Sequence, residues 1–427
     1  MKFLFPLGLV FFTACASSPA MRAAERGDRA ALAEAVAAEA RAGALSNREA
    51  AALARAVAAR EIRIAEGPEA VERVHDAVAC GHELDAALAA RSETHDDAGA
   101  EAALVRLDAG RLGLANARSS LGDTNAHWRA LGTRALVRDE DHDARILAIL
   151  DPEPGVRRRA LRAARDAHDE TDLPALADAA RVDPNPMNRS EAVRAIAALP
   201  PGPDDRVANL LRDLWAAGDD GLREDIALAW SSSAIWGAGG RQALRVVLAS
   251  DHGPAAVEAA AAVLRRSDAG DEMANLAIAR FANSIEQGAL PTRLQALARA
   301  PLDRPVLLGA VRKAAETDVP NIRIAALARL AEEKDARAID QLERFSQPGS
   351  RVEDRARLAL ANAGDRRVLL WIEQDLTAEA PDKRLAAATA LAALRVAGRA
   401  AGLLADADPR VRMRAACTIL LAARRCR

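Results

Sequence analysis

The chain has 427 residues, enough for two or three compact domains or one long repeat array. Its 59 basic and 61 acidic residues give a formal net charge of −2, with arginine interleaved among aspartate and glutamate. That balance argues against nucleic acid as a partner. Half the residues are hydrophobic but only 3% are aromatic, so the core must be built from Leu, Val, Ile and Ala.

The N-terminus opens with Lys2, an apolar run and then small residues, which reads as a secretory signal over residues 1–14. The run is too short to span a membrane. Phe12, Thr13, Ala14 and Cys15 resemble a bacterial lipobox. The resemblance implies cleavage before Cys15 and its acylation. Acyl chains contribute about 0.8 kcal/mol per buried methylene, so two or three hold a protein stably on a bilayer. The residue after Cys15 is Ala16 rather than Asp, which by analogy with enteric bacterial sorting implies the outer membrane. Residues 15–21 form a short tether that keeps the folded body close to that surface.

Residues 22–118 are rich in Ala, Leu, Glu and Arg, with turn signals at Gly27, Gly43, Gly67, Gly81 and Gly99. They read as an N-terminal cap of degenerate helical hairpins. The stretches 24–32 and 79–88 also resemble the helix–turn–helix core of ankyrin repeats, without the Thr-Pro-Leu-His that opens such a unit.

From residue 119 to 427 one unit recurs: an apolar residue, then arginine, then a small residue four positions after the first. Good copies are Val156/Arg157/Ala160, Ile322/Arg323/Ala326 and Val411/Arg412/Ala415. Looser ones are Asn188/Arg189/Ala192, Val257/Glu258/Ala261, Val352/Glu353/Ala356 and Lys383/Arg384/Ala387. The weakest are Trp128/Arg129/Gly132, Leu222/Arg223/Ile226 and Thr292/Arg293/Ala296. A period of roughly thirty residues marks a solenoid. Asp151-Pro152 and Asp408-Pro409 precede two of the good copies. Proline suits a first helical turn and the aspartate can cap it. The small residue lets a neighbouring helix approach, and each period leaves room for a second helix, as at 366–376. The arginines at this fixed phase, Arg157, Arg189, Arg323 and Arg412, are expected to bond acids or carbonyls of an adjacent turn and so link repeats.

The pattern resembles the HEAT-repeat family, in the short variety first associated with phycobilisome lyases. Copies at 151–164, 318–330 and 404–421 match its motif well. The resemblance implies an all-α, right-handed α-solenoid of stacked helix pairs, a HEAT-like superhelix. It says little about function, because such arrays serve as scaffolds, transport receptors and occasionally enzymes.

Candidate chemical groups are sparse. His82-Glu83 is a single pair where an iron site on such repeats would need several, and Gly81 is expected to break the helix between His75 and His82. The acidic run 139–143 lacks the glycine and terminal glutamate of a calcium loop. Ser231, Ser232 and Ser233 lack a nucleophile elbow. No catalytic, cofactor-binding or metal-binding residue is therefore assigned. Besides Cys15, the cysteines are Cys80, Cys417 and Cys426; an odd count leaves one free. Cys417 and Cys426 stand about 13 Å apart on a continuous helix, too far to bridge, and no structural disulfide is expected. Trp215, Trp230 and Trp236 cluster in the most irregular repeats and are the candidate partner-binding residues.

The expectation is a non-enzymatic, lipid-anchored envelope scaffold or adaptor that binds a protein partner and needs no cofactor. A lyase-like or cofactor-handling repeat protein is the alternative.

Overall fold

The computed structural model describes residues 18–42, 45–202, 205–250 and 253–424. The expected leader over residues 1–14, Cys15 and Cys426 lie outside the described residues. Among those described, the secondary structure is helical with no strand, and the fold is an all-α solenoid.

The N-terminal hairpins supply α1 (Asn47–Ile64), α2 (Gly67–Val78), α3 (Asp85–Arg91) and α4 (Asp97–Asp108). With α4 begins a continuous layer of helices that goes on through α5 (Ala126–Arg134). The repeat units follow as α6 (Pro154–Ala167), α7 (Pro186–Ala198), α8 (Asp220–Trp230), α9 (Gly253–Leu264) and α10 (Leu290–Arg299). The last four are α11 (Pro320–Glu332), α12 (Glu353–Asn362), α13 (Pro381–Ala393) and α14 (Pro409–Arg424). From α4 onward each helix packs on the next, whereas the helices between them, such as Leu173–Val182 and Arg206–Ala217, touch one another less along most of the array, Asp271–Gln287 and Pro305–Ala314 excepted. The first layer therefore lies on the inside of the curve, because helices crowd on the shorter path.

Local chemistry explains these starts and contacts. Pro154, Pro186, Pro320, Pro381 and Pro409 each open a helix, where a missing N–H leaves no bond unmade. Just upstream, Asp151, Asp183 and Asp406 accept from the N–H two residues on at 2.8, 2.8 and 2.9 Å, closing the turn. The small residues Ala160, Ala192, Ala326, Ala356 and Ala415 are all fully buried, as close helix approach requires. Gly132 replaces alanine in the weakest unit because a Cβ there would lie 2.4 Å from the Leu121 backbone nitrogen. That contact is too short for any side chain.

The array does not remain open. The last described helix, α14, packs along α1 and against α2. Residues 22–118 thus meet both ends of the repeat region: α4 packs on α5, and α1 closes onto α14. The helices form a closed circuit.

Candidate binding face and the closing seam

The arginines one step after the apolar position build a ladder along the inner layer. Arg157 donates to both oxygens of Asp183, at 2.8 and 3.1 Å, and through its other terminal nitrogen to the Asp151 and Pro152 carbonyls. Arg129 makes the same set with Asp151 and the carbonyls of Asp123 and Thr124. Arg384 repeats it with Asp406 and the carbonyls of Ala378 and Glu379. Arg189 uses the Asp183 carbonyl and Asp219. In the three full copies the aspartate that closes one repeat's turn also receives the preceding repeat's arginine. Burial alone would raise the Asp183 carboxyl, but hydrogen bonds from Arg157, the Asn185 N–H and Asn188 outweigh it and hold it below the usual carboxylate range.

Two rungs differ. Arg323 donates to Gln341 at 3.2 Å and lies 5.1 Å from the Phe345 ring centroid. At α9 the polarity reverses: buried Glu258 takes the arginine's place and receives Gln295 at 2.7 Å and Arg299 at 2.9 Å.

The final rung closes the circuit. Arg412 bonds the Asp406 and Ala407 carbonyls, as its counterparts do, but its carboxylate is Glu61 of α1, at 2.8 and 2.9 Å. Around it Arg414 reaches Asp76, Arg424 bonds the Cys80 carbonyl, and Asn47 accepts from the Gly398 N–H. Cys80 and Cys417 are joined by a disulfide. The expectation of no structural bridge is thus corrected. Spacing along one helix speaks only for neighbours in sequence, whereas closure brings residues 337 apart to a Cα separation of 4.4 Å.

The tryptophan cluster is largely core. Trp230 and Trp236 are buried, at 2% and 7% exposure, and are corrected from candidate anchors to packing residues. Gly240 sits so close that a Cβ would meet the Trp230 carbonyl oxygen at 2.3 Å, which accounts for glycine at that position. Arg266 covers the Trp236 ring at 4.5 Å. Trp215 is half-buried; its ring lies 5.1 Å from that of Trp230, with the Arg223 guanidinium at 5.9 Å. Of the three, only Trp215 retains a surface that a partner could reach.

The other titratable groups serve the fold. His142, Asp169 and Asp172 gather closely enough to suggest a cation site. Fully buried Arg145 already fills that role, donating to Asp172 at 2.7 Å and to Asp169 at 2.5 Å. Glu83 pairs with Arg55 and, at 3.4 Å, Arg424, which makes it part of the seam; His82 is exposed beside it. In the acidic run, Asp141 is buried against Arg118, while Asp139, Glu140 and Asp143 are exposed. Ser231 donates to the Leu228 carbonyl at the end of α8.

A different cluster lies on the N-terminal hairpins. Glu101 on α4 is nearly buried and joins two histidines, His75 of α2 at 3.2 Å and His127 of α5 at 3.0 Å. Burial opposes its charge, yet the two hydrogen bonds prevail and lower it to about 2. His75 is raised in turn, first by its bond to Glu101. Nothing in the spacing of His75, Glu101 and His127 announces this meeting, since each comes from a different helix.

Residues 143–231 match the family of HEAT repeats. No curated protein matches the chain. Among solved structures it is similar to the Escherichia coli protein YibA, at 16% identity over 59% of this chain and 92% of that one, with TM-score 0.37. It is also similar to UNC-45 from Drosophila melanogaster, at 13% identity over 95% of this chain and 78% of that one, with TM-score 0.30. A mutant of Kap121p matches at 13% identity over 86% of this chain and 45% of that one, with TM-score 0.32.

Proposed function

We propose that this HEAT-repeat chain is a lipid-anchored scaffold of the bacterial outer membrane, facing the periplasm and binding another envelope protein without catalysing a reaction. The observation that carries the reading is the Cys80–Cys417 disulfide at the seam. Lasting disulfides belong to oxidising compartments, and the periplasm is one. The leader and the Phe12–Cys15 motif point to the same address from an independent direction. A cytosolic lyase-like role fits less well, because a reducing compartment would keep this pair open.

The remaining chemistry supports a binding role. Charged groups that could serve catalysis are engaged in holding helices together, as Arg145, Asp172 and Glu258 are. Trp215, with Arg223 against it, is the aromatic side chain best placed to anchor a partner.

Membrane fractionation of a Cys15→Ser variant tests the anchor. The variant is expected in the soluble fraction or stalled as a precursor. Mature-length protein found wholly with the membranes would rule the anchor out. Non-reducing electrophoresis of protein from intact cells, after alkylation, tests the compartment: a bridged Cys80–Cys417 pair supports export, and two free thiols oppose it.

A further inference from the structure

A cavity of about 400 Å³ lies among α2, α3, α4 and α6 on the N-terminal hairpins, within the size range of small-molecule sites. One wall is apolar, formed by Val78, Leu88, Leu104 and Val105. Val78, the last residue of α2, is 55% exposed. The opposite wall is cationic, formed by Arg159 and Arg162 of α6.

The positive charge on that wall is incompletely answered. Arg159 is mostly buried, and its approach to Asp108 is 3.7 Å, too long for a hydrogen bond. Asp108 is instead committed to Arg134 at 2.9 Å. Glu101 is occupied by its two histidines, and Asp85, the third acid of the lining, accepts from Arg106 at 3.3 Å. Burial and the like charges of Arg162 and Arg158 lower Arg159 to about 10. A buried guanidinium short of partners, facing an apolar wall across an open space, is complementary to a molecule with one anionic group and an apolar body.

We infer that this cavity binds a small amphipathic organic anion, its carboxylate or sulfonate against Arg159 and its apolar body against Val78, Leu104 and Val105. The charge supplies orientation and the apolar wall supplies most of the contact area. Arg162, paired with Glu191 at 3.4 Å, adds to the field from the rim.

The test uses anilinonaphthalene sulfonate as a fluorescent probe, decanoate as its competitor and decanol as the uncharged control. The purified chain is expected to bind the probe saturably with one-to-one stoichiometry and to release it to decanoate. Decanol should compete at least about tenfold less well, the worth of a charge-assisted hydrogen bond. Arg159→Met keeps the bulk and removes the charge; Val78→Asp places a repelling charge at the exposed mouth. Each should weaken probe and decanoate by about tenfold or more while circular dichroism shows the helices intact. Absence of saturable binding, equal competition by decanol, or wild-type affinity in either variant would overturn the assignment. If either variant loses helicity, Arg159→Gln or Val78→Glu replaces it under the same criterion: weakening by about tenfold or more supports the site, and wild-type affinity overturns it.

Discussion

Arg412 donates two hydrogen bonds to Glu61, 351 residues earlier in the chain, in the same geometry that Arg157 uses to hold Asp183 in the next repeat. The N-terminal hairpins therefore present to the last repeat what a following repeat would have presented. Glu61 stands in for the turn aspartate, although it lies inside a helix. Both side chains are nearly buried, so the pair is sensitive to removal of either member.

Arg412→Ala is expected to destabilise the chain by about 3–5 kcal/mol, since it leaves a buried Glu61 carboxylate unpaired. The Glu61→Gln/Arg412→Met double variant should lose less than Arg412→Ala alone. Urea denaturation followed by circular dichroism gives both values. Equal losses in the single and double variants would mean that the pair does not hold the seam.

The disulfide reinforces the same junction. Cys80→Ser with Cys417→Ser should lower stability by about 2–5 kcal/mol, mostly by freeing the unfolded chain. Hydrogen exchange should rise first in α1, α2 and α14, the helices that meet there. Unchanged protection in those helices would show that the seam does not depend on the bridge.

Acid and base should act on the hairpins from opposite sides. Glu101 falls from 4.5 to about 2, so its contribution is present above about 4.5 and is lost as pH drops toward 2. His75 is raised above 6.5, so its contribution is full below that value and is lost as pH climbs through the raised one. The thermal midpoint should peak between these limits, and Glu101→Gln should flatten the profile. A Glu101→Gln curve that parallels the wild type would remove the triad as its source.

The tryptophans should separate by role. Trp230→Ala is expected to cost about 3–5 kcal/mol as a core truncation, and Gly240→Ala about 1–3 kcal/mol through its clash with the Trp230 carbonyl. Trp215→Ala should cost clearly less in stability than Trp230→Ala, because its indole is only half-buried. Thermal melts of the three variants rank them. A Trp215→Ala loss as large as that of Trp230→Ala would make it a core residue as well.

Period, composition and helix starts were legible in the sequence because they are local. Proline at a first turn, aspartate before it and alanine four residues after an apolar position act within one or two helical turns. They specify helix pairs that must stack, and they place Arg157 and Arg189 at one phase of the inner layer. Whether an array of such pairs stays open or closes is set by the small rotation each pair adds, summed over the whole chain. That sum brings Glu61 to Arg412 and Cys80 to Cys417, and it gathers His75, Glu101 and His127 from three helices. Burial of Trp230 and Trp236 was decided in the same way, by the turn at Gly240 folding back on α8 rather than by the aromatic residues themselves.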